Sequence, residues 1–135
     1  SWDYHVRVAL GCTNEENLES IDASVRAAVE AGKEAIVDCE HFFDGYKANP
    51  DYAMACLAAA AKAGARWMGL CATNGGTPPH ETERIAAGEA RRRASTSPVA
   101  SSAHKVASVS PRTRFIVKYV EPSRAPSSCT GTTAG

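Results

Sequence analysis

Apolar and polar positions change period several times along this chain, and the changes divide it into segments. Tyr4 to Val8 alternates and predicts a short strand. Thr13-Asn14-Glu15-Glu16 is a capping box, in which hydroxyl and carboxylate satisfy free amides at a helix start. Leu18, Ile21, Val25, Ala28 and Val29 then recur at helical spacing, so a helix over 14–31 with one buried face is expected, ended by Gly32. Ala35-Ile36-Val37-Asp38-Cys39 is a short, mostly apolar run and reads as a strand covered on both sides. Asn49-Pro50 pairs an N-cap with proline at the first helical position, where the missing N–H costs nothing. It opens an Ala-rich helix over 51–63 with Ala53, Cys56, Leu57 and Ala60 on one face, stopped by Gly64. Trp67 to Cys71 is the next strand, and Thr77-Pro78 repeats the cap-and-proline device before a helix toward Ile85 and beyond.

The predicted order is β, α, β, α, β, α. Ala28-Val29-Glu30-Ala31-Gly32 leads into the strand at Ile36 as Ala60-Ala61-Lys62-Ala63-Gly64 leads into the strand at Trp67, an echo about 32 residues long. Short buried strands alternating with helices favour a parallel sheet. Consecutive βα units of a barrel and an open doubly wound sheet fit this order equally well.

From about Ala86 the pattern dissolves. Ala, Ser, Arg, Pro and Thr dominate, Arg91-Arg92-Arg93 forms a basic cluster, and only Phe115 to Val120 has the look of a strand. The rest of 86–135 reads as a weakly structured C-terminal tail, so the chain divides into 1–85 and 86–135. The abrupt change is expected to mark a frameshifted or joined end, and a start without Met is expected for an excised or processed piece.

Composition narrows the classes. At 135 residues a single core is possible, but a complete (β/α) barrel of roughly 250 is not. Fifteen basic and fifteen acidic residues cancel, yet the acidic excess lies before about Ala86 and the basic excess after it. The basic cluster has little aromatic interleaving, so nucleic acid is not an expected partner. No apolar run approaches a membrane span and no signal-peptide plan opens the chain, which makes cytoplasmic location the expectation. Five widely and irregularly spaced cysteines without a C-x-x-C pair point to reduced thiols rather than a disulfide framework or a zinc site.

Functional residues of a parallel α/β sheet gather at the carboxyl ends of its strands. Glu40 and His41 end one strand, Thr73 and Asn74 the next, so a carboxylate, an imidazole, a hydroxyl and an amide share one rim. Such a set suits a small oxygen-rich acid. Blander readings stand beside it: Glu40 as a solvated strand-end carboxylate, His41 as a packing histidine, Phe42-Phe43 as core, and Asn74-Gly75-Gly76-Thr77 as a tight turn with a cap. Gly75-Gly76 before a helix lacks the spacing of a phosphate loop.

Two motifs carry a family resemblance. Glu40-His41-Phe42-Phe43-Asp44-Gly45-Tyr46-Lys47-Ala48-Asn49-Pro50, then Cys71-x-Thr73-Asn74-Gly75-Gly76-Thr77-x-Pro79-His80-Glu81, resemble citramalate synthase of the 2-isopropylmalate and homocitrate synthase superfamily. Ser1-Trp2-Asp3-Tyr4-His5-Val6 and Thr13-x-Glu15-Glu16-Asn17-Leu18 are similar to the same family, and the likeness runs to about Ile85. It implies a partial TIM (β/α) barrel of about three consecutive βα units. It also implies an acyltransferase that condenses acetyl-CoA with a 2-oxo acid, pyruvate, in isoleucine biosynthesis, with a 2-isopropylmalate-type acid as the alternative. By motif position Glu40 would contact the 2-oxo acid as the catalytic carboxylate and Thr73 would bind its carboxylate, with His5, His41 and Asn74 in support. The full-length family takes a divalent metal, Mg or Mn, from an Arg-Asp motif and a His-x-His pair. Neither motif is in this chain, and Ala72 stands where the family carries aspartate. The isolated chain is therefore expected to hold no cofactor and to be inactive, acting if at all by assembly. An incomplete barrel exposes sheet edges, which makes a homo-oligomer the expectation.

Overall fold

A computed structural model describes residues 1–89 and 114–119. These form a mixed α/β unit around a parallel sheet of three strands, β1 (Ile36–Cys39), β2 (Trp67–Ala72) and β3 (Arg114–Tyr119), in the order β1-β2-β3. Ile36 faces Trp67 and Cys39 faces Leu70 in one pair, while Trp67 faces Arg114 and Ala72 faces Tyr119 in the other. The helices are α1 (Asp3–His5), α2 (Asn14–Glu30), α3 (Phe42–Ala48), α4 (Pro50–Ala63) and α5 (Pro79–Arg84). Wider turns of the π type continue α1 over Val6–Leu10 and α5 over Ile85–Glu89.

Local chemistry sets most of these bounds. Thr13 Oγ1 accepts from the Glu16 amide at 3.1 Å while Glu16 Oε2 accepts from the Thr13 amide at 2.8 Å, so both halves of the capping box start α2. Asn49 Oδ1 accepts from the Tyr52 amide at 3.1 Å to start α4, with Pro50 at the first helical position. Gly64 ends α4 at φ 108°, a conformation that would strain any residue with a Cβ.

Helix α4 is buried nearly all round. Ala53, Leu57 and Ala60 are wholly enclosed with Phe42, Phe43, Met68 and Leu70 in the main core, to which Val25 of α2 also belongs. The other flank, Tyr52 and Cys56, meets Val6 with Cys12, Leu18 and Ile21 packed around it. Its small alanines let the helix lie close between two layers.

Several expectations from sequence need correction. Tyr4 to Val8 is helical, not a strand: among the described residues it has no neighbouring strand, and a local turn satisfies its backbone, with the Val6 amide donating to the Trp2 carbonyl at 3.1 Å. Only Val6 of that stretch is buried. Among the described residues β1 is an edge strand with Ile36 61% exposed, whereas β2, paired on both sides, is the strand covered on both faces. Helix α3 occupies the segment directly after Glu40-His41, for which the sequence pattern predicts no element. Thr77 does not cap α5; Pro78 holds that position, and buried Thr77 instead accepts from Lys47 Nζ at 3.1 Å. The strand expected near Phe115 is present as β3, joined to the sheet through the Arg114 amide on the Arg66 carbonyl at 3.0 Å and the Arg114 guanidinium over the Trp67 ring. Arg91-Arg92-Arg93 and the tail beyond Tyr119 lie outside the described residues.

Burial governs the thiols. It pushes Cys39 up from 9.0 to about 12, and it raises Cys56 and the Tyr52 phenol as well. In the unfolded chain these groups would lose protons at their ordinary pKa values. For Cys39 the stabilising effect is therefore complete below about pH 9 and is lost as pH climbs toward 12, and the raised Cys56 and Tyr52 act in the same direction. The urea midpoint should fall between about pH 8 and about pH 10.5; an unchanged or rising midpoint would contradict these burials.

Candidate functional site

Glu40 follows the last residue of β1 and Thr73 follows the last residue of β2, and the parallel register brings them to the same end of the sheet. The Thr73 hydroxyl donates to Glu40 Oε2 at 2.7 Å and accepts from the His41 amide at 2.9 Å. One hydroxyl thus ties the end of β2 to two consecutive residues after β1. Glu40 is exposed, so its carboxylate is open to solvent and to a ligand on its other side.

His41 turns the chain from β1 into α3 at φ 51°, and it alone among the described non-glycine residues has positive φ. Histidine tolerates this region better than most residues, but it still costs energy that the surroundings must offset. The bond to Thr73 holds its amide, and its carbonyl accepts from the Gly45 amide at 2.9 Å. Its Nδ1 lies 3.2 Å from Asp44 Oδ2, with both side chains largely buried.

The amino-terminal turn closes over this corner. Ser1 Oγ donates to the Glu40 carbonyl at 2.9 Å, and Asn49 Nδ2 donates to Asp3 Oδ2 at 3.0 Å. A Cβ on Gly45 would collide with the Ser1 carbonyl, so only glycine allows the turn to lie so close to α3. The His5 ring packs edge-on against His41 with centroids 4.3 Å apart, and Trp2 stacks 4.8 Å from His5 and 5.6 Å from His41.

Of the residues singled out from sequence, Glu40, Thr73, His41 and His5 therefore meet in one cluster. Asn74 adjoins it but spends its side-chain oxygen on the Gly76 amide at 2.8 Å, shaping the turn. Asp44 and Trp2 join the cluster without having been singled out. Asp44 was detectable from its spacing, three residues after His41 at a helix start, whereas nothing local in the sequence brings Trp2 to His41.

The donor set does not fit a divalent metal. Among the described residues no three His, Cys, Asp or Glu side chains are grouped to hold one, His41 Nδ1 is engaged by Asp44, and one Glu40 oxygen is engaged by Thr73. Among the described residues, too, no helix is long and apolar enough to cross a membrane.

An 85-residue stretch, 63% of this chain, is 55% identical to (R)-citramalate synthase of Aquifex aeolicus. Stretches of the same length are 52% identical to that of Geobacter sulfurreducens and 48% identical to that of Synechocystis. This stretch is similar to citramalate synthase. The matched part spans 16% of the length of each of those citramalate synthases. No protein-family model matches the chain, and no solved structure matches it.

Replacing Thr73 with valine keeps the shape and removes the hydroxyl, which leaves the half-buried His41 amide without its acceptor and Glu40 without its donor. We expect a loss of about 1–3 kcal/mol in urea unfolding and faster hydrogen exchange at the His41 amide, with Thr73→Ser close to wild type. An unchanged exchange rate in Thr73→Val would show that the hydroxyl does not hold His41.

Proposed function

We propose that this chain is a segment of a partial (β/α) barrel from an acyl-condensing enzyme of the citramalate synthase kind. In the whole protein, acetyl-CoA would condense with the 2-oxo acid pyruvate. The observation that carries this reading is the Glu40–Thr73–His41 link at the carboxyl ends of two adjacent parallel strands, together with the similarity to citramalate synthases.

In that role Glu40 contacts the 2-oxo acid. Thr73 already donates its proton to Glu40, so a substrate carboxylate takes that proton only by displacing Glu40; the pair reads as one unit that reorients on binding. The condensation needs a base for the methyl C–H of the acetyl group and a polarised ketone. Divalent metal chemistry would supply the polarisation in the whole protein, and among the described residues no three possible ligands are grouped to hold the ion. The purified chain by itself should release no CoA from acetyl-CoA and pyruvate.

A second reading, assembly without catalysis, is favoured by the edge strand β1. Its Ile36 is 61% exposed beside an open groove lined by Ile21, Val25 and Ala28 of α2. A homo-oligomer would cover that edge, and light scattering would show a mass above that of one chain. A purely monomeric chain would count against it.

The condensing role is testable by grafting. Placing the matched stretch of this chain into the Aquifex aeolicus citramalate synthase should preserve CoA release from acetyl-CoA and pyruvate, and Glu40→Gln in the graft should lower it by about 100-fold or more. A folded graft that releases no CoA, or a Glu40→Gln graft as active as its parent, would overturn the reading.

A further inference from the structure

His41 is held more tightly than a surface histidine needs to be. Its amide is bound by Thr73, its carbonyl by Gly45, and its ring is packed by His5 and Trp2. The remaining constraint is Asp44, whose Oδ2 lies 3.2 Å from His41 Nδ1, with side-chain exposures of only 15% and 18%. We propose that Asp44 is a positioning residue for His41. Its carboxylate keeps a proton on Nδ1 and leaves the lone pair of the neutral ring on Nε2, so that His41 presents the site with a proton acceptor.

The chemistry follows from the partners. An ionised carboxylate can only accept hydrogen bonds, so a neutral imidazole beside it places its proton on the facing nitrogen. Asp44 lies in the first turn of α3, three residues after His41, and the helix keeps it in reach of the ring. A doubly protonated ring can make the same Nδ1–H bond to Asp44, so the ring keeps its orientation with or without the second proton. Glu40 differs from Asp44: it is exposed and takes its bond from a hydroxyl, so the two carboxylates next to His41 have separate tasks.

This inference rests on the condensing role proposed above and adds a named proton acceptor to it. On that reading a C–H bond of the acetyl methyl breaks, its electron pair stays on carbon as the enolate, and the proton goes to His41 Nε2. The ring becomes an imidazolium whose Nδ1–H remains on Asp44.

The tautomer of His41 can be read without turnover. Long-range proton–nitrogen correlation of the 15N-labelled chain at about pH 8.5, above the ordinary imidazole range, distinguishes Nδ1–H from Nε2–H. The His41 signals are assigned by their loss in His41→Gln. The expected result is Nδ1–H in the wild-type chain and transfer of the proton to Nε2 in Asp44→Ala. An Nε2–H ring in the wild-type chain, or an unchanged tautomer in a folded Asp44→Ala, would overturn the proposal. The wild-type spectrum decides the point even if the variant does not fold. Failure of the condensing role would appear instead in the grafted enzyme and would leave this spectrum untouched.

Discussion

The arrangement depends on the parallel pairing of β1 and β2 in one register. With Cys39 opposite Leu70, the residues that follow each strand leave the sheet at a common end. Strand side chains alternate between faces, so a slip by one residue would turn buried Met68 and Leu70 away from the core as well as parting Glu40 from Thr73. Core packing and site geometry therefore enforce the same register. That coupling lets a hydroxyl bond of 2.7 Å persist at a partly exposed position, where an isolated hydrogen bond would contribute little.

The helix between the two strands makes the register affordable in packing terms. α4 buries one flank against β2 and α3 and the other against α2 and the amino-terminal turn, and its alanines keep those layers close. The same turn then reaches the site, because Asn49 both starts α4 and binds Asp3. A single side chain thus links the start of the central helix to the segment that carries Trp2 and His5. Core and site are joined through backbone caps as much as through apolar contact.

Elements governed by local chemistry were legible in the sequence. The Thr13–Glu16 capping box, the Asn49-Pro50 start and the glycine stop at Gly64 all appear where their residues place them. So does the meeting of Glu40 with Thr73, since two strand ends in a parallel sheet share a rim. What depended on neighbours was not legible. Alternation in Tyr4 to Val8 suggests a strand, but a strand needs a partner to take its amides, and this one has none among the described residues. The apolar run of β1 looks enclosed, yet enclosure depends on a strand beyond it, and among the described residues β1 lies at the edge. Arg114 to Tyr119 carries a strand signal inside a segment of tail-like composition, and only its pairing with β2 reveals its place. Asp44 was written into the same motif as His41, but its role emerges only once α3 brings the carboxylate round to the ring.

The central claim is that Glu40 and Thr73 act on each other across the strand ends. A double-mutant cycle with Glu40→Gln and Thr73→Val, read as unfolding free energy in urea, measures that directly. The account predicts a coupling of about 0.5 kcal/mol or more, because each substitution should matter less once the other partner is gone. Effects that simply add, to within about 0.3 kcal/mol, would show that the two side chains do not meet, and the shared site would fall with them.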